Sequence, residues 1–79
     1  NRKYLDRYKK LGLNIAYYRN SQDITQEKLA DALGSDRTTI SKIEQARAGV
    51  SLDYLFAIAD YLKIPVSKLL EFSRLKYVV

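Results

Sequence analysis

Apolar residues recur at three- and four-residue intervals along almost the whole chain, and that rhythm leaves packed helices as the main way to bury them. Tyr4, Tyr8, Leu11, Ile15 and Tyr18 define one face of a long first helix. Asn20-Ser21-Gln22-Asp23 breaks it, and Thr25 is a good N-cap for a second helix from Gln26 to about Leu33, with Leu29, Ala30 and Leu33 inside. Gly34 then stands where a helix end favours a residue in the left-handed conformation. Ser35 or Asp36 can cap a third helix, running to about Gln45 and anchored by Ile40 and Ile43. A loop over Ala46 to Val50 leads to Ser51, the cap of a fourth helix with Leu52, Leu55, Phe56, Ile58, Ala59 and Leu62 on its inner face. Pro65 suits the first turn of a short fifth helix holding Leu69 and Leu70. The remaining residues, Leu75 to Val79, have strand-like composition and no helical face. The expectation is an all-α, compact five-helix bundle over residues 1–70, with a C-terminal tail over residues 71–79.

Composition removes several function classes. The 79 residues include no Cys and no His, which excludes disulfides, thiolate nucleophiles and iron–sulfur clusters, and removes the usual metal ligands and near-neutral acid–base groups. We therefore expect no metal, no cofactor and no catalysis. Asp23, Glu27 and Asp31 recur every four residues, but without a His partner they read as a solvated acidic face. A small domain free of disulfide staples favours the cytoplasm. No apolar run approaches the roughly 20 residues that span a bilayer. A chain that begins at Asn1 and has no Met reads as a piece of something longer.

The net charge of +5 favours acidic partners, nucleic acid first. Much of the excess lies at the ends, in Arg2, Lys3, Arg7, Lys9 and Lys10 and again in Lys63, Lys68, Arg74 and Lys76. Such runs are electrostatic footprints or merely solvated faces.

Two short helices joined by a tight turn containing Gly form a helix-turn-helix pattern, here over residues 26–45, whose second helix (about 36–45) enters the DNA major groove. At about 100° per residue, Ile40 and Ile43 point one way, and Thr38, Ser41, Lys42 and Gln45 point the other, with Arg37 at the N-terminal shoulder. That outward face carries hydroxyls, an amide and a cation for base edges and phosphates. It also suits an ordinary wet helix surface.

The run Ile24-Thr25-Gln26-Glu27-Lys28-Leu29-Ala30, then Leu33-Gly34, then Thr38-Thr39-Ile40-Ser41-Lys42-Ile43-Glu44, closely resembles the lambda-repressor-like (Cro/cI-type) helix-turn-helix family. The likeness covers about residues 11–70. It implies sequence-specific binding of double-stranded DNA by a transcriptional regulator, as a homodimer. The alternative is a protein-interaction or antitoxin-type module of the same fold.

Position by position, the resemblance implies that Gln26 binds a DNA phosphate, aided by the N–H groups that open its helix. Arg37, Thr38 and Lys42 match the base-reading positions. Arg37 can pair with O6 and N7 of guanine, Thr38 offers a hydroxyl and a methyl, and Lys42 reaches guanine or a phosphate. Thr39, Ser41 and Arg47 match DNA-backbone contacts. Arg19 and Glu44 match a partly buried salt bridge that holds the recognition helix at its angle. Dimerisation in the family falls to the fifth helix or a C-terminal extension, here Leu70, Phe72, Leu75, Tyr77 and Val78. Those apolar residues otherwise pack on their own domain or lead into a second one.

Two positions depart from the family pattern. Ala46 stands where Gly is common, so either the cap differs or Gly49 supplies the flexible point. Asp36 would repel a phosphate, yet serves as an N-cap or accepts from a cytosine amino group.

Overall fold

The structure is a computed structural model that describes residues 2–73. A 3-10 turn over Arg2–Tyr4 runs into α1 (Leu5–Ser21), followed by α2 (Gln26–Ala32), α3 (Arg37–Glu44), α4 (Leu52–Leu62) and α5 (Val66–Leu69). The all-α expectation holds over the described residues. Leu75, Tyr77 and Val78, with the rest of residues 74–79, lie outside them.

Local chemistry sets where the helices begin. The Thr25 hydroxyl accepts the Lys28 N–H at 3.0 Å, an Asp36 carboxylate oxygen accepts the Thr39 N–H at 2.8 Å, and the Ser51 hydroxyl accepts the Tyr54 N–H at 3.1 Å. Each satisfies one of the amides that a helix start leaves without an internal partner. Helix ends share a second device. Asp23, Gly34, Ala46 and Lys63 take φ of 58°, 67°, 60° and 58°, each one or two residues past a helix. After α3, for example, the Ala46 N–H donates to Ile43 O at 3.1 Å and the Arg47 N–H to Lys42 O at 2.8 Å. This paired closure is the Schellman motif. Three of the four helices thus end on a residue with a side chain where glycine is preferred. Ala46 itself makes the reversal, and Gly49 does not.

The core joins every helix. Leu11 and Ile15 of α1, Leu29 and Ala30 of α2, Ile40 and Ile43 of α3, Leu55, Ile58, Ala59 and Leu62 of α4, and Leu69 of α5 are all buried. Tyr18, Ile24, Leu33, Val50, Tyr54, Tyr61 and Phe72 pack around them. Burying a Leu or Ile side chain contributes roughly 1.5–3 kcal/mol, which holds together helices too short to persist alone.

Several inner-face assignments need correction. Tyr4 and Tyr8 are 39% and 36% exposed, because the stripe they share with Leu11 continues past the helices that cover it. Leu52 and Phe56 are exposed too, since the α4 core stripe centres on Leu55, Ile58, Ala59 and Leu62 and rotates them to its edge. Leu70 lies just after α5 as its C-cap residue and is exposed, whereas Phe72 packs back on its own domain.

Two buried features have no counterpart in the apolar pattern. Asn14 is fully buried and donates through Nδ2 to Leu69 O at 3.0 Å and Glu71 O at 3.1 Å, tying the end of α5 to α1. Gly12 lets α1 press on the end of α3: a Cβ there would strike the backbone carbonyls of Glu44 and Ile43.

Candidate nucleic-acid interface

The turn between α2 and α3 is tight because Gly34 reverses the chain and Asp36 immediately caps the next helix. Ile40 and Ile43 are buried beneath α3, which fixes the helix's rotation about its own axis. Thr38, Lys42 and Gln45 consequently stand exposed on the opposite side, with Arg37 exposed at the helix's N-terminal shoulder. None of Arg37, Thr38 and Lys42 makes a side-chain hydrogen bond or ion pair among the described residues, so their donors face outward uncommitted. Arg47 is exposed in the loop directly after α3, and its placement follows from the left-handed Ala46.

The smaller polar residues of α3 are engaged. The Thr39 hydroxyl donates to Asp36 Oδ1 at 2.9 Å, and Gln45 Nε2 donates to the Ser41 hydroxyl at 3.1 Å. Thr39 and Ser41 are both half-buried. Asp36 therefore receives two bonds from Thr39, through backbone and hydroxyl. These bonds, helped by the nearby Lys42 charge, hold its carboxyl below the usual carboxylate range. As the N-cap, the carboxylate faces amide groups that favour negative charge.

Behind this face lies a buried polar cluster. Arg19 pairs with Glu44 in a two-pronged bridge, Nε to Oε2 at 2.7 Å and Nη2 to Oε1 at 3.0 Å, with both side chains less than a tenth exposed. The remaining Arg19 nitrogen, Nη1, donates to Ile24 O at 2.7 Å and Asn20 Oδ1 at 3.1 Å. Arg19 thereby joins the end of α1, the turn into α2 and the end of α3. The family resemblance implies a DNA-phosphate contact for Gln26. This residue is half-buried, and its Nε2 donates to Glu44 Oε1 at 2.9 Å. The cluster is a three-residue network across three helices, and the Gln26–Glu44 link is the part that motif reading missed. An amide and a carboxylate that are 18 residues apart carry no sequence signal of their own.

Elsewhere, Asp23, Glu27 and Asp31 are exposed, and no group of three or more potential metal-ligating side chains occurs among the described residues. Among those residues no helix is long and apolar enough to cross a membrane. A shallow apolar groove between the start of α1 and the chain after α5 is lined by Tyr4, Arg7, Tyr8, Leu11, Leu70 and Phe72. The Arg7 guanidinium lies 5.0 Å from the Tyr4 ring centre.

Known proteins share this arrangement. The helix-turn-helix family model matches residues 15–69. The control protein C.SmaI of Serratia marcescens is 36% identical over 73 residues, covering 92% of this chain and 87% of that protein. An uncharacterized HTH-type transcriptional regulator of Methanocaldococcus jannaschii is 38% identical over 52 residues, covering 66% of this chain and 79% of its own. Among solved structures, the restriction-modification controller protein C.AhdI of Aeromonas hydrophila superposes with a TM-score of 0.75 at 29% identity, covering 78% of this chain and 94% of that one. The exposed third helix, its two buried isoleucines and these matches together show that the chain belongs to the lambda-repressor-like (Cro/cI-type) helix-turn-helix family of DNA-binding transcriptional regulators.

Proposed function

We propose that this protein is the controller of a restriction–modification gene cluster, binding a two-fold symmetric operator as a homodimer in the cytoplasm. The observation that carries the DNA-reading part is the α3 surface, where Arg37, Thr38 and Lys42 stand exposed and uncommitted on a helix locked by Ile40 and Ile43. Arg37 reads guanine through a two-pronged pair, Thr38 contacts a neighbouring base, and Lys42 reaches a base or phosphate one turn further along. Gln26 and Arg47 clamp the backbone on either side of the groove, while Thr39 and Ser41 contact it by exchanging their intramolecular bonds for phosphate oxygens. Arg19 and Glu44 hold the recognition helix against α1. The gene cluster is inferred from the likeness to C.SmaI and C.AhdI.

Two-fold operators need two recognition helices about one DNA turn apart. The groove over Leu11 supports pairing with a second copy, because Tyr4, Tyr8, Leu70 and Phe72 along it remain partly wet in one chain. Selecting binding sites from a random duplex library tests the reading. A palindromic site that also occurs before the restriction–modification genes is the expected result. An asymmetric site, or none enriched, overturns it.

A further inference from the structure

We infer that Glu44 is a positioning residue for the backbone contact of Gln26, fixing which way the Gln26 amide faces and so which group it offers to a phosphate. The inference rests on the reading of Gln26 as a phosphate contact. An ionised carboxylate only accepts hydrogen bonds, whereas a Gln amide presents an acceptor at one corner and two donors at the other. Against Glu44 Oε1 at 2.9 Å the amide can only turn its nitrogen inward; turned over, it would set oxygen against oxygen. One Nε2 hydrogen is consumed by Glu44, and the second stays on the amide for a phosphate oxygen. A free Gln side chain at a helix start would sample both orientations, and one of them aims its carbonyl at the phosphate.

Glu44 fulfils this role because Arg19 holds it. A carboxylate beside a phosphate-binding position would repel DNA, but the two-pronged Arg19 bridge at 2.7 and 3.0 Å neutralises its charge and fixes its plane. The bridge orients the carboxylate, and the carboxylate orients the amide. Glu44 closes α3, the reading helix, and Gln26 opens α2, so one side chain couples the two ends of the motif.

Glu44→Gln tests this, since it keeps the shape but gives position 44 a donor and an acceptor, so that either Gln26 orientation is satisfied. Binding is measured on the selected operator and on random duplex, for wild type, Glu44→Gln, Gln26→Ala and the double variant, at a temperature where circular dichroism shows each folded. The expected result is a loss of about two- to tenfold for Glu44→Gln, equal on both duplexes, that disappears in the Gln26→Ala background. In the DNA-free protein, the side-chain NH2 resonances of Gln26 should shift on Glu44→Gln. A loss that persists undiminished without Gln26 places the effect in the recognition helix and overturns the assignment. So does a loss confined to the operator, or no loss at all. If Glu44→Gln does not fold, Glu44→Asp takes its place: it keeps the negative charge but shortens the carboxylate's reach to both Arg19 and Gln26 by one methylene, and the same dependence on Gln26 is expected. Absence of duplex binding by the wild type is a different failure: it removes the phosphate contact, and the assignment with it, although the NH2 shift would still report the bond.

Discussion

In the proposed reading, Arg37 is the residue on which sequence recognition by this domain most depends. Its guanidinium opens the recognition helix with no hydrogen bond or ion pair among the described residues, so a paired contact to guanine exchanges none of those bonds. Arg37→Ala should cost roughly 1–3 kcal/mol on the selected operator and relax discrimination at one base position. Competition binding against operators substituted at each position measures this, and an equal loss on every sequence would reduce Arg37 to a phosphate contact. Its neighbour Asp36 makes a pH-dependent contribution. Its carboxyl lies below the ordinary value of 3.8, chiefly through the two Thr39 bonds. A lowered folded pKa gives stability that is present above the unfolded value and lost as pH falls through the folded one. Asparagine caps helices about as well as aspartate but cannot titrate. The melting-temperature advantage of wild type over Asp36→Asn should therefore stay constant from about pH 7 to about pH 5 and shrink below about pH 4. An unchanging gap would mean that the cap does not depend on charge.

At the scale of the helices, the starts are legible in the sequence and the ends are less so. Thr25, Asp36 and Ser51 announce themselves by residue type, because a short polar side chain ahead of an apolar rhythm has one favourable use there. Ala46 and Lys63 announce nothing: each adopts a positive φ that its side chain disfavours, held by the paired carbonyl closure. Burial is similarly legible in the middle of each helix and less so at its margins. Tyr4 and Tyr8 continue the α1 stripe beyond its neighbours, and Leu52 and Phe56 sit on the flank of the α4 stripe; periodicity marks a face but not how far other helices cover it. The Gln26–Glu44 link and the Asn14 clamp are long-range polar contacts that only the assembled fold creates. Ala46 gives the element-scale prediction. Glycine adopts the left-handed conformation without the clash of a Cβ, while adding backbone freedom to the unfolded chain. Relief of strain outweighs that loss, so Ala46→Gly should stabilise the fold by about 0.5–1 kcal/mol in denaturant unfolding. DNA affinity should be retained, because the loop carrying Arg47 keeps its turn. Destabilisation would show that Ala46 is not strained.

At the scale of the whole molecule, the charge of +5 acquires a geometry. Lys10 is paired with Asp6 at 3.1 Å, Lys68 faces Glu71 at 3.5 Å, and Arg19 is inside with Glu44. The cations placed on or directly after the recognition helix are Arg37, Lys42 and Arg47. Each cation brought into the phosphate field of the groove, whether it bonds a phosphate or a base edge, displaces condensed counterions, so the logarithm of affinity falls with the logarithm of salt by about 0.9 per cation. Three cations from one chain predict a slope of about −3, and a symmetric pair of chains on both half-sites predicts about −5. The slope therefore reports how many copies of the recognition surface engage the duplex. For the homodimer proposed above, the operator should give about −5, while Arg47→Ala, which removes one contact from each half, should lower the magnitude by roughly 2 and leave base preference intact. A slope near −3 on the operator, unchanged with protein concentration, would place a single chain on the DNA and overturn the dimer. A slope much steeper than −5 would instead bring in the basic residues of the first helix, whose charge lies outside the helix-turn-helix.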